Sequence, residues 1–300
     1  MACKTDSALQ RERKPEWIKV RLPSDPVFWS TKGLVDDLKL HTVCEEAQCP
    51  NRWECWSNGT ATFMIAGDRC TRACGFCAVK TAKPFALEED EPQRVAEATK
   101  RLGLKHVVIT AVARDDIADG GAEHFALTVE ATRATNPGIV IEILVPDFNG
   151  KDDALEVCMA SQPHIFNHNI ETVERLTSLV RSRARYGRSL DVLKKAKDIA
   201  VASGVKVAIK SGMMLGLGET EQEVCKAMDD LLEHNVTVLT LGQYLRPSAS
   251  HLPVVEYIHP EQFFRLKEIA EEKGFRHVAS GPLVRSSYHA ADFKPELDVL

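Results

Sequence analysis

The chain has 300 residues, with 38 Lys and Arg against 43 Asp and Glu and a formal net charge of -5. That length can bury one large core, and the acidic balance gives no basic field, which excludes nucleic acid as an expected partner. The longest apolar runs are of strand length, far short of a bilayer span, and MACKTDSALQRERKPEW at the N-terminus lacks the apolar stretch of a secretory signal. A cytoplasmic protein with no membrane partner is therefore expected.

Residues 1–43 show no clear periodicity. Pro15, Pro23 and Pro26, with Trp17, Phe28 and Trp29, predict an extended arm that packs over something larger from about Trp17 onward. Residues 44–62 read as a cysteine-bearing loop or short helix, and TATFMIAG (60–67) as a first buried strand. Pro92 opens a helix with Val95, Thr99 and Leu102 on one face and Gly103 past its end. Next come strand 106–110 (HVVIT), a helix near 122–135 broken by Asn136-Pro137-Gly138, and strand 139–145 (IVIEILV). Helix 152–161 leads to strand 164–166, two helical stretches at 171–181 and 189–203, and strand 205–210. Thr220 and Glu223 form a capping box for a helix whose inner face is Val224, Ala227, Met228 and Leu231. Strand 236–241, a long helix from Pro260 closed by Gly274, and a short final strand at 277–279 complete the pattern.

Six strand–helix repeats, each of roughly thirty residues, predict a parallel sheet with crossover helices. Six units fall short of a closed eightfold barrel. The expected fold is α/β: a partial (β/α)6 TIM-like barrel over residues 60–280, with residues 1–59 and 281–300 as extensions covering its open face. A doubly wound sheet is the alternative. In a barrel the chemistry sits at the C-terminal ends of the strands. The residues there are polar or glycine: Arg114-Asp115-Asp116, Asp147, Asn167-His168-Asn169, Ser211-Gly212 and Gly242-Gln243.

Six of the nine cysteines fall between positions 44 and 77, as Cys44, Cys49 and Cys55 (C-x4-C-x5-C) and Cys70, Cys74 and Cys77 (C-x3-C-x2-C). In a reducing compartment such clusters read as metal ligands or reactive thiols. Soft thiolates select zinc, copper(I) or iron–sulfur clusters, and a structural zinc site wants four closed ligands, which neither trio supplies. Three cysteines on one tight loop leave one iron of a [4Fe–4S] cube without a thiolate. Cys158 and Cys225 lie in helical patterns as bland thiols, and Cys3 is given no role. Glu142 lies inside a strand among isoleucines, and a carboxylate pointing into a barrel needs a partner: a ribose hydroxyl or a structural arginine.

The C-x3-C-x2-C motif with Phe76 before its last cysteine, directly after the first strand, resembles the radical S-adenosylmethionine superfamily. That resemblance implies a [4Fe–4S] cluster on Cys70, Cys74 and Cys77 whose open iron chelates S-adenosylmethionine. One electron then yields a 5′-deoxyadenosyl radical that takes hydrogen from unactivated carbon. It also implies cofactor contacts at Asp119, Gly120, Gly121, Glu142, Asn169 and Gly216. Taken alone, the glycines read as ordinary turns and strand-to-helix loops.

The first trio, CEEAQCPNRWEC, together with FNHNIETV (166–173), VPDF (145–148), LGQYLRPS (241–248) and GPLVRSSYHA (281–290), resembles the lipoyl synthase family from about Pro15 to Ala290. The resemblance implies an auxiliary [4Fe–4S] cluster on Cys44, Cys49 and Cys55, consumed as sulfur donor, with Ser287 as fourth ligand and Ser286 as the alternative. Substrate contacts are implied at Arg285 and Tyr288. The implied reaction uses two S-adenosylmethionine molecules to insert sulfur at C6 and C8 of an octanoyl-lysyl group. The implied partners are octanoylated lipoyl carrier domains, namely 2-oxoacid dehydrogenase E2 and the glycine cleavage H protein, and a low-potential ferredoxin or flavodoxin. TAVARDD after the second strand and VKTAKP after Cys77 depart from the family pattern in loop residues only. The competing readings are a methylthiotransferase, which would carry added N-terminal and basic C-terminal domains, and a ferredoxin-like carrier, which has no use for an open iron.

Overall fold

The computed structural model describes residues 14–19, 26–57, 61–288, 290 and 293; Cys3, Pro23 and residues 58–60 lie outside them. Helix α1 (Pro26–Asp37) leads to β1 (His41–Thr42), then to the short helices α2 (Val43–Glu46) and α3 (Arg52–Ser57) and into β2 (Thr62–Ile65). The small strands β3 (Arg69–Cys70) and β4 (Lys80–Thr81) enclose the second cysteine trio. Regular alternation follows: α4 (Glu91–Arg101), β5 (His106–Ala111), α5 (Ala122–Thr135), β6 (Val140–Leu144), α6 (Asp152–Ala160) and β7 (Ile165–Asn167). It continues with α7 (Thr177–Val180), α8 (Tyr186–Ala202), β8 (Ala208–Leu215), α9 (Glu221–Glu233), β9 (Val238–Gln243), α10 (Pro260–Lys273) and β10 (His277–Gly281).

The main sheet runs in strict chain order, β1-β2-β5-β6-β7-β8-β9-β10, with every pair from β2 to β10 parallel and β1 antiparallel at the edge. A doubly wound sheet reverses direction at a switch point; this order never does, so the helices wind one way around a curved, open sheet. Six β/α units and a closing strand make up the partial barrel. The strands are buried on both faces, as β-branched runs such as HVVITA require. The capping box at Thr220 and Glu223 starts α9, and Gly274, at φ 114°, ends α10.

Three expectations shift. Strands β8 and β9 run past the glycines that were read as strand ends, because Gly212 and Gly242 are close-approach positions within strands. A Cβ on Gly212 would lie 2.3 Å from Thr240 Oγ1, and one on Gly242 would lie 2.1 Å from the Val284 carbonyl oxygen. The helix expected at 171–181 is a turn at 174–176 followed by α7, since the Glu171 backbone pairs instead with β8, donating to Gly212 O and accepting from Met214 N. Glu142 has a lysine and not an arginine as its protein partner. It is fully buried in β6 and accepts from Lys210 Nζ at 2.8 and 3.0 Å and from Asn167 Nδ2 at 2.9 Å, with His106 Nε2 3.5 Å away.

The arm is ordered by aromatic packing. Phe28 of α1 stacks on Trp53 and Trp56 of α3 at 4.3 and 5.3 Å between ring centroids, and Trp17 meets His259 edge-on at 4.9 Å. Phe28, Cys44 and Trp56 belong to the same buried core as Phe63, Phe125, Phe166 and Phe263 of the barrel.

Candidate active site

The loop of the second trio is held at both ends and at its tip. Arg72, between Cys70 and Cys74, donates Nε and Nη2 to Asp115 at 2.9 and 2.8 Å, pairs with Asp147 at 2.7 Å and reaches Asn149 Oδ1 at 2.9 Å. Burial pushes the Asp147 carboxyl up, but the Arg72 guanidinium prevails and holds it at about 2. Arg114 donates to the carbonyls of Ala66 at 3.1 Å and Phe85 at 2.9 Å, bracketing the loop from outside. At the tip, Gly75 N donates to Val180 O, Leu252 N donates to Gly75 O, and a Cβ on Gly75 would sit 3.0 Å from Leu252. The loop is therefore braced by residues just past β5 and β6 and, at its tip, by Val180 and Leu252.

The first trio is built on α2 and α3. Thr42 caps α2 by accepting from Glu45 N, Cys49 N donates to Cys44 O, and Cys55 N donates to Asn51 O. The C-terminal segment after β10 closes over it. Asn51 Nδ2 donates to Leu283 O at 2.6 Å, Tyr288 Oη meets Glu54 at 3.0 and 3.1 Å, and Val284 seats against Gly242. The two serines diverge. Thr62 Oγ1 donates to Ser287 Oγ at 2.7 Å, and the Thr62 backbone also meets the Cys44 thiol, whereas Ser286 Oγ accepts from Asn169 Nδ2 at 2.7 Å.

One cavity of about 640 Å³ joins these parts, lined by Cys44, Cys49, Cys70, Cys74 and Cys77 among others. Cys55 is half-buried and does not line it. Among the described residues no three Cys, His, Asp or Glu side chains close on a single ion. The thiols group by their mutual repulsion. Burial raises Cys44 to about 11, with Cys49 adding to it, and raises Cys55 to about 12, with Cys44 and Cys49 adding. Burial likewise raises Cys74 to about 11, with Cys70 adding to it, and raises Cys77 to about 12, with Cys74 and Cys70 adding. Cys44 and Cys55 are thus raised by thiols of the first trio, and Cys74 and Cys77 by thiols of the second. Arg285, buried beside Cys49, favours the Cys49 thiolate.

Of the remaining expected contacts, Asn169, Arg285, Ser286 and Ser287 line the cavity; Asp119, Gly120, Gly121, Glu142, Gly216 and Tyr288 do not. Asp119 caps α5, accepting from Gly121 N and Glu123 N. Gly216, at φ 97°, leaves room for Gln243, whose Nε2 would lie 2.2 Å from a Cβ there. Glu171 and Arg181 were not singled out from sequence, yet both line the cavity. Glu171 has a left-handed backbone, φ 65°, and burial raises its carboxyl above the ordinary range. Its side-chain partner is Asn169 Nδ2 at 3.2 Å. Arg181 donates to Asn169 O and Ser189 Oγ, and Ser189 meets His168 Nε2 at 3.0 Å. Burial lowers His168 to about 4, so this ring is neutral at pH 7. The visible signal for Glu171 was FNHNIETV directly after a strand.

Residues 64–231 match the model of the radical SAM superfamily, and residues 3–49 match that of the N-terminal domain of lipoyl synthase. Lipoyl synthase from Oceanobacillus iheyensis is 57% identical over 279 residues, covering 93% of this chain and 88% of that protein. The chain belongs to the lipoyl synthase family. Lipoyl synthase from Rubrobacter xylanophilus is 54% identical over 280 residues, covering 93% and 86% of the two chains. The protein is thus a radical S-adenosylmethionine enzyme of the sulfurtransferase class, and membership implies a [4Fe–4S] cluster and S-adenosylmethionine. The fold is shared more widely. Streptococcus suis SuiB bound to S-adenosylmethionine superposes with a TM-score of 0.55 at 14% identity, covering 72% of this chain and 49% of that one. Methylornithine synthase gives 0.52 at 12% identity, covering 83% and 81%. No helix among the described residues is long and apolar enough to cross a membrane.

Proposed function

We propose that this enzyme inserts two sulfur atoms, at C6 and C8, into an octanoyl-lysyl group on a lipoyl carrier domain, using two molecules of S-adenosylmethionine and an auxiliary [4Fe–4S] cluster as sulfur source. The observation that carries the reading is that Cys44 and Cys49 of the first trio and all three cysteines of the second line one cavity, which Val284–Ser287 of the C-terminal segment also line. The donor chemistry fits: six free thiols in two sets, with the Ser287 hydroxyl on the side of Cys44. Asn169, which lines the same cavity, has a buried Oδ1 without a hydrogen-bond partner.

Cys70, Cys74 and Cys77 would hold the cluster that supplies one low-potential electron for cleavage of S-adenosylmethionine. Cys44, Cys49, Cys55 and Ser287 would hold the sulfur source, and Arg285 offsets its negative charge. Asn169 and Glu171 present acceptor oxygens suited to the vicinal hydroxyls of a ribose. Met64, Val112, Leu144 and Met214 give an apolar lining for an extended acyl chain and keep water out. The carrier partners are octanoylated E2 and H proteins, the reductant is a ferredoxin or flavodoxin, and the compartment is the cytoplasm.

Anaerobically reconstituted enzyme, given S-adenosylmethionine, dithionite and an octanoyl-lysyl peptide, is expected to yield a dithiol peptide with two 5′-deoxyadenosines per product. Mass spectrometry and chromatography of the nucleoside read both. Steady 5′-deoxyadenosine release with no sulfur in the peptide would defeat the proposal.

A further inference from the structure

We propose that Ser286 is a positioning residue that ties the C-terminal segment to the cofactor pocket by fixing the side-chain amide of Asn169. The inference rests on the reading above that Asn169 and Glu171 take the cofactor. A side-chain amide can sit in two orientations, and its partners decide which. Here the Asn169 NH2 group donates to Ser286 Oγ at 2.7 Å and to Glu171 Oε1 at 3.2 Å. Both acceptors lie on one side, so Oδ1 is turned away from them. That oxygen is buried and has no partner. It lies 3.1 Å from the place a Cβ on Gly212 would occupy, which is room that only a glycine leaves. The amide is thus held with an unsatisfied acceptor beside the cavity, and Ser286 makes the shorter of the two contacts that hold it.

Ser287, the next residue, faces Thr62, whose backbone meets the Cys44 thiol. A shift of this segment when Ser287 loses its partner would also withdraw Ser286 from Asn169. Cofactor affinity would then report whether the sulfur source is intact, and by linkage the reverse holds too.

The test is equilibrium binding of S-adenosylmethionine to anaerobically reconstituted protein, with iron counted on each sample. Ser286→Ala is expected to weaken binding about fivefold, the loss of one hydrogen bond, while keeping about eight irons. Ser286→Thr, which keeps the hydroxyl, is expected to bind like the parent. Unchanged affinity in Ser286→Ala, when Glu171→Gln binds weakly, would overturn the proposal. So would loss of about four irons in Ser286→Ala, which would make Ser286 a cluster ligand. If Glu171→Gln also bound normally, the cofactor reading itself would fail, and this inference with it.

Discussion

The Cys44→Ala variant is expected to cleave S-adenosylmethionine to 5′-deoxyadenosine and to make no lipoyl product, whereas Cys70→Ala does neither. The trios are separately braced. The second is fixed by Arg72 on Asp115 and Asp147 and by Arg114 on Ala66 and Phe85, none of which depends on α2 or α3. On the proposed reading, removing Cys44 therefore leaves the cleavage site standing while depriving the sulfur source of a ligand. Cys44 is a small buried side chain, and losing its sulfur creates a cavity that costs about 1 kcal/mol, which a core of this size tolerates. Continued nucleoside release is the internal check that the variant is folded. Iron should fall from about eight to about four per chain. Lipoyl product from Cys44→Ala would remove the sulfur-donor role from the first trio.

Lys210→Met is expected to destabilise the fold by about 3–5 kcal/mol, the cost of stranding a buried carboxylate. Glu142, Lys210 and Asn167 lie on the adjacent strands β6, β8 and β7, away from the cavity. Burial alone would push the Glu142 carboxyl up, but Lys210 and His106 hold it at about 2, below its ordinary 4.5. The sign follows. Because the folded-state value is depressed, the stabilisation is fully present above pH 4.5 and is lost as pH falls from there towards 2. It amounts to roughly 3 kcal/mol. Denaturant titrations of parent and Lys210→Met at pH 7 and pH 3.5 should show the gap narrowing at the lower pH. The double variant Glu142→Leu, Lys210→Met should recover most of the loss, since an apolar pair of similar volume strands no charge. A pH-independent gap would mean that the ion pair is not what Lys210 contributes.

Much of this was legible in sequence because its chemistry is local. Thiol spacing within one loop, a capping box and the alternation of β-branched runs with amphipathic helices are written within a few residues of each other. Contacts across the chain are not. Thr62 with Ser287, Asn51 with Leu283 and Glu54 with Tyr288 each join residues more than two hundred positions apart. Only family resemblance linked RSSY to the first trio. Gly212 and Gly242 misled because a glycine that ends a strand looks, in one dimension, like one crowded by a neighbour, the Thr240 side chain at Gly212 and the Val284 backbone at Gly242. The protein partner of Glu142 was hidden for a related reason: Lys210 is a strand residue two strands away, and an alternation pattern names the buried carboxylate without naming what pairs it.

The central claim is that the sulfur in the product comes from the site built by Cys44, Cys49, Cys55 and Ser287. The most direct measurement is a single turnover by enzyme reconstituted with 34S-sulfide, transferred to unlabelled buffer and given S-adenosylmethionine, reductant and octanoyl-lysyl peptide. The account predicts a product carrying two 34S atoms, formed at no more than one equivalent per chain. Unlabelled product, or many turnovers without added sulfide, would contradict it.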